Sequence, residues 1–140
     1  MRWIARSVPS LWLAFAAAAI ALSGCSSSAT PPEADPDSPA ASYMRTSRWG
    51  EGDTALLEGT VALENGCLTV VDDAGQTVVP VFPTDFTWDA DAGELSGFGQ
   101  IFTVGKAASM GGAYHDTPPS SAEHIPSGCE GAQYFLVYSA

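Results

Sequence analysis

Residues Ala55 to Phe82 read ALLEGTVALENGCLTVVDDAGQTVVPVF. Leu57, Val61 and Leu63 fall on one face of an extended chain, and Glu58, Thr60, Ala62 and Glu64 fall on the other. This alternation is the signature of a half-buried strand. Asn65-Gly66 follows at once and favours the positive φ angles of a type I′ hairpin turn. CLTVVD then returns as a second strand, Asp73 to Gly75 makes another tight turn, and QTVVPVF is a third strand. Pro80 inside it lacks an N–H, so its position is expected at a bulge or an unpaired edge.

The pattern continues outward. A loop holding Pro83, Trp88 and DADAGE leads to GQIFTV as a fourth strand, and KAASMGGA is a short fifth. A proline-rich loop then reaches Cys129, and AQYFLVYS closes the chain. In that last strand Tyr134, Leu136 and Tyr138 face one way and Phe135 and Val137 the other. Both faces are large and apolar, which places the strand inside the packing. No stretch after Cys25 carries a helical period. The fold class is therefore all-β: a small barrel of five to six strands, OB-like, with a small sandwich as second choice. Closure removes edges that would otherwise pair with other chains.

The N-terminal part is different. Met1 to Arg6 carries two arginines and no acid, and Leu11 to Leu22 is LWLAFAAAAIAL, without a charge. Such a run makes about 18 Å of helix, too short for a hydrocarbon core of about 30 Å. A basic start, a short apolar core and small residues after it are the marks of a signal peptide. The segment that follows, SSSATPPEADPDSPAAS, offers almost no large apolar side chain and reads as a disordered tether. The expected organisation is signal peptide 1–24, anchored N-terminus and tether 25–53, and β-barrel domain 54–140.

Leu22-Ser23-Gly24-Cys25, right after the apolar core, resembles the lipobox of bacterial lipoproteins. The resemblance implies that the Cys25 sulfur receives a diacylglyceryl group, that cleavage occurs before Cys25, and that the new N-terminus is often acylated too. Two acyl chains suffice for stable anchoring, at roughly 0.8 kcal/mol per buried CH₂. The expected location is the extracytoplasmic face of the cell membrane, with the bilayer as partner through Cys25. Cys67 and Cys129 then remain. An even pair in an oxidising compartment points to a disulfide, worth about 4 kcal/mol for a loop of this length on the chain-entropy account.

Further in, NGCL (65–68), VFPTDFTWD (81–89), FTVGK (102–106), MGG (110–112) and IPSGC (125–129) together resemble small extracytoplasmic β-domains of high-GC Gram-positive bacteria. That group is mostly uncharacterised and often has an acid where this chain has Lys106. The resemblance implies fold, disulfide and location, and no activity.

All 16 acidic residues follow Cys25, against three of the five basic ones, so the part beyond the signal peptide carries a net charge of −13. Such a surface repels nucleic acid, and none is expected as a partner.

Candidate chemistry is sparse. His115, Asp116, Glu123 and His124 share one loop and offer a weak zinc or copper set, at a large ordering cost. Asp89, Asp91 and Glu94 in DADAGE depart from EF-hand spacing and read as a turn. Ser109 lacks the G-x-S-x-G context of a nucleophile elbow. Phe82, Phe86 and Trp88 form either a ligand patch or the plug of one barrel end, and the plug is the preferred reading. The expectation is a non-catalytic module without cofactor, binding an envelope protein, a glycan or a small molecule. The alternative is a metal-binding lipoprotein using His115 and His124.

Overall fold

The structure is a computed structural model and describes residues 30, 32–45, 55–130 and 133–139. Cys25 and the signal peptide lie outside the described residues. Residues 31–140 form one compact unit.

Its centre is a closed five-stranded barrel. β2 (Ala55–Glu64) is the longest strand and serves two neighbours in turn. Its first half pairs antiparallel with β8 (Ala107–His115), and its second half, from Thr60, pairs with β3 (Cys67–Val71). The hairpin between β2 and β3 turns on Asn65 and Gly66, with φ of 53° and 77°, as the sequence predicts. β3 pairs briefly with β4 (Thr77–Pro83). β4 then runs parallel to β10 (Gln133–Ser139), and β10 returns antiparallel to β8. The ring β2-β3-β4-β10-β8 is a Greek-key barrel of OB type, in which the last strand inserts between the third and fourth.

Two glycines make this closure possible. At Gly59, where β2 changes partner, a Cβ would collide with the carbonyl of Val71. At Gly112, where β8 meets β10, a Cβ would collide with the carbonyl of Leu136 and the ring of Phe135.

The barrel interior holds Leu57, Val61, Leu68, Val70, Val78, Phe82, Met110, Phe135 and Val137, all buried. Leu63, expected on the same face as Leu57 and Val61, is instead exposed, next to the hairpin turn. A second apolar cluster joins Val79, Val81, Tyr134 and Leu136 to Ala41, Tyr43 and the disulfide Cys67–Cys129, with a Cα–Cα distance of 5.1 Å. This explains why β4 and β10 are apolar on both faces: one face fills the barrel and the other fills this outer cluster.

The loop expected before GQIFTV is itself structured, and GQIFTV, expected as the fourth barrel strand, lies outside the barrel, whose fourth strand is β8. β5 (Thr87–Asp89), β6 (Glu94–Gly97) and β7 (Gln100–Thr103) form a separate three-stranded antiparallel sheet. It packs Leu95 and Phe102 into the barrel cluster. The DADAGE stretch is a turn, as expected: Asp89 Oδ1 accepts from the N–H groups of Asp91 and Ala92, each at 3.0 Å.

One further expectation is corrected. Part of the stretch read as tether is a strand, β1 (Ala41–Tyr43), which pairs parallel with β4 and antiparallel with β9 (Ala122–His124). The folded unit therefore starts well before residue 54. Pro80 is unpaired on one side, as expected of a residue without an N–H, while its other side pairs with Phe135 of β10. The pairing of β4 with β3 ends at Val78, and its pairing with β1 begins at Val81. Pro80 sits in the gap between these two partners. Pro39 bridges the splay from the other side, its carbonyl accepting from Leu68 N–H at 2.8 Å.

Candidate functional site

The segment that leads into β1 creates a concavity lined by the aromatic cluster. A turn holds it in place: Ser38 N–H donates to the Asp35 carbonyl at 3.2 Å, and Asp37 N–H donates to Asp35 Oδ1 at 3.0 Å. Between residues 33–42 and strands β4, β5 and β6 lies a cleft of about 200 Å³. Phe82 and Leu95, both buried, form its floor, and Phe86 and Trp88, both half-buried, form its wall. Glu33 and Asp35 stand on the rim. The volume is below the ~300–1,000 Å³ of sites for drug-sized ligands. It suits a compact small molecule or one group of a larger one.

The wall is firmly built. Phe86 packs against Phe82 at 5.1 Å between ring centroids, edge-on to Phe98 at 4.9 Å, and beside Phe102 at 6.3 Å. Its ring lies directly on the backbone of Gly97, where a Cβ would approach to 2.5 Å. Phe98 occupies a turn with φ of 53°, a left-handed conformation that is costly for a bulky residue. The Arg45 guanidinium lies 4.2 Å above its ring and reaches Asp85 at 3.8 Å.

Ser42 supplies a polar feature. Its Oγ is buried without a hydrogen-bond partner, and the residue lines the cleft. Buried hydroxyls are normally satisfied, and this one departs from that rule.

Phe82 belongs to the core cluster, and Phe86 and Trp88, half-buried, pack against that cluster and also line the cleft. The sequence reading missed Glu33, Asp35 and Ser42, because it assigned residues 33–42 to the tether. Only the large apolar Tyr43 nearby hinted at folding there.

The other candidates are dispersed. His124 Nε2 lies 3.0 Å from the Ser38 carbonyl oxygen, and His115 Nε2 is buried without a partner. Among the described residues, no three of His, Cys, Asp and Glu gather in a way that could hold a metal ion, so His115, Asp116, Glu123 and His124 do not form a ligand cluster. Ser109 stands mid-strand on β8, exposed and opposite Glu58 of β2, without the sharp turn of a nucleophile elbow. A second, more open groove runs along β3 and β4 beside the disulfide, lined by Thr69, Thr77, Gly128 and Gln133 with Glu64 and Glu130. It lies on the face that OB barrels use for oligomeric ligands, but its two carboxylates disfavour a polyanion.

Burial raises the proton affinity of two phenols. Tyr43 and Tyr134 are both held above the ordinary tyrosine value, chiefly by desolvation. Tyr134 donates to the Cys129 carbonyl at 3.0 Å. Both belong to the outer cluster and act on the fold rather than on the cleft.

No family model, no curated protein and no solved structure matches this chain.

Proposed function

We propose that this chain is a lipid-anchored extracytoplasmic lipoprotein whose barrel is a non-catalytic binding module, with its ligand site in the cleft between residues 33–42 and β4–β6. The observation that carries the binding reading is the cleft itself. Aromatic faces are fixed on one side by packing against Gly97 and Phe82, and the buried hydroxyl of Ser42 stands without a partner. Fixed aromatic walls with a few placed polar groups are what small-molecule sites consist of. The anchoring reading rests on the sequence LSGC after a short apolar run, and the strongly acidic remainder suits a surface that does not adhere to anionic lipid or nucleic acid.

Two measurements test the parts separately. Full-length protein should partition into detergent, while Cys25→Ser should remain uncut and unlipidated; equal processing and partitioning of the two would remove the anchor. For the cleft, small aromatic probes should bind the full-length protein in detergent, and Trp88→Ser should weaken them by about tenfold or more. Equal affinity in the two proteins, with their β-sheet circular dichroism unchanged, would place the ligand elsewhere.

A further inference from the structure

The lining of the cleft is polarised in charge. Two carboxylates, Glu33 and Asp35, stand on its rim, and among the described residues no lysine, arginine or histidine lines it. Both carboxylates are on exposed residues. Below the rim, the half-buried Phe86 and Trp88 present aromatic surface, whose faces are the negative side of the ring quadrupole. Carboxylates and aromatic surface favour the same ligand charge. An anion would meet repulsion from the rim.

The same aromatic cluster already engages a cation at its outer end. Arg45 stacks on Phe98 at 4.2 Å while Asp85 stands 3.8 Å from its guanidinium, and Phe98 is in turn edge-on to Phe86 at 4.9 Å. Contacts of a cation with a ring are stronger where the cation is partly desolvated.

We infer that the cleft selects a small organic cation: an ammonium or guanidinium group carried on a compact apolar body. The apolar body lies on Phe86 and Trp88 over the floor of Phe82 and Leu95. The charged group points to the rim, toward Glu33 and Asp35. The size of about 200 Å³ limits the ligand to roughly one ring or a short chain with its charged head. This inference rests on the binding-module reading and deepens it.

The experiment compares three probes of similar shape by calorimetry on the full-length protein in detergent: 2-phenylethylamine, 2-phenylethanol and 3-phenylpropanoate. The amine should bind about tenfold or more tightly than the alcohol, and the carboxylate weakest of all. In Glu33→Gln/Asp35→Asn, substitutions on exposed residues, the amine should fall to the level of the alcohol while the alcohol itself is unchanged. Raised salt should weaken the amine and leave the alcohol unaffected. Equal binding of amine and alcohol, or a preference for the amine that survives the double substitution, overturns the cation inference and leaves the cleft as a neutral apolar site. Failure of all three probes to bind overturns the inference together with the binding-module reading beneath it.

Discussion

The hydroxyl of Tyr43 donates a 2.7 Å hydrogen bond to the carbonyl of Val137, 94 residues further along the chain. Tyr43 is the last residue of β1, and Val137 lies in β10, the strand that closes the barrel. The bond therefore ties the short N-terminal strand to the centre of the fold, and with it the segment that forms one side of the cleft. Tyr43→Phe should keep the ring in the outer cluster and lose the bond. Removal of one partner of a buried hydrogen bond costs about 1–2 kcal/mol, which urea unfolding should register as a lower midpoint at unchanged slope. An unchanged midpoint would mean that β1 is not held by this contact.

The same phenol predicts how stability depends on pH. Folding gives Tyr43 and Tyr134 a higher proton affinity than they have in the unfolded chain, because burial penalises the phenolate. Groups whose pKa is raised by folding contribute fully below their unfolded value and lose that contribution as pH rises through it and beyond. Stability should therefore hold up to about pH 10 and fall above it. Tyr43→Phe should fall less steeply there. A flat profile from pH 9 to 12 would contradict the burial of these hydroxyls.

Cys67 opens β3 and Cys129 ends the turn before β10, and both are buried in the outer cluster. Their bond closes a separation of 62 residues. Reduction, or Cys67→Ala/Cys129→Ala, should cost about 3–4 kcal/mol and lower the melting temperature by at least about ten degrees for a domain of this size. Intact protein should show a mass two daltons below the fully reduced form. Two thiols that alkylate freely without reductant would contradict the pairing.

Gly112 tests the seam of the barrel. Its missing Cβ is what lets β8 and β10 approach, so Gly112→Ala should drive a methyl group into the Leu136 carbonyl and the Phe135 ring. The expected loss is about 2 kcal/mol or more, in the range of overpacked cores. Thermal melts comparable to the native protein would show that the strands part more easily there than the close packing implies.

Much of the barrel is legible in the sequence because its signals are local. Alternation over β2, Asn65-Gly66 at positive φ, and the two apolar faces of β10 each act within a few residues. The elements missed depend on distant partners. β1 has three residues in a stretch rich in proline, alanine and serine, and it is stabilised only where β4 parts from β3 near Pro80. β5 and β6 are short, and the turn residues between them mask their pairing. The hairpin at Phe98-Gly99 carries no Asn or Asp at its first position, because Phe98 is held at a strained φ by its contacts with Phe86 and Arg45. The cleft was half visible for the same reason: its aromatic wall is a sequence cluster, while Glu33, Asp35 and Ser42 reach it only through β1.

Chemical-shift mapping on isotopically labelled full-length protein, titrated with small aromatic fragments of each charge, locates the binding site residue by residue. Binding in the cleft predicts shifts on the amides of Ala34, Ser38, Ser42 and Thr87 and on the Trp88 indole, and small shifts elsewhere. Shifts centred on Thr69, Thr77 and Gln133 in the groove beside the disulfide, or scattered without a centre, would contradict it.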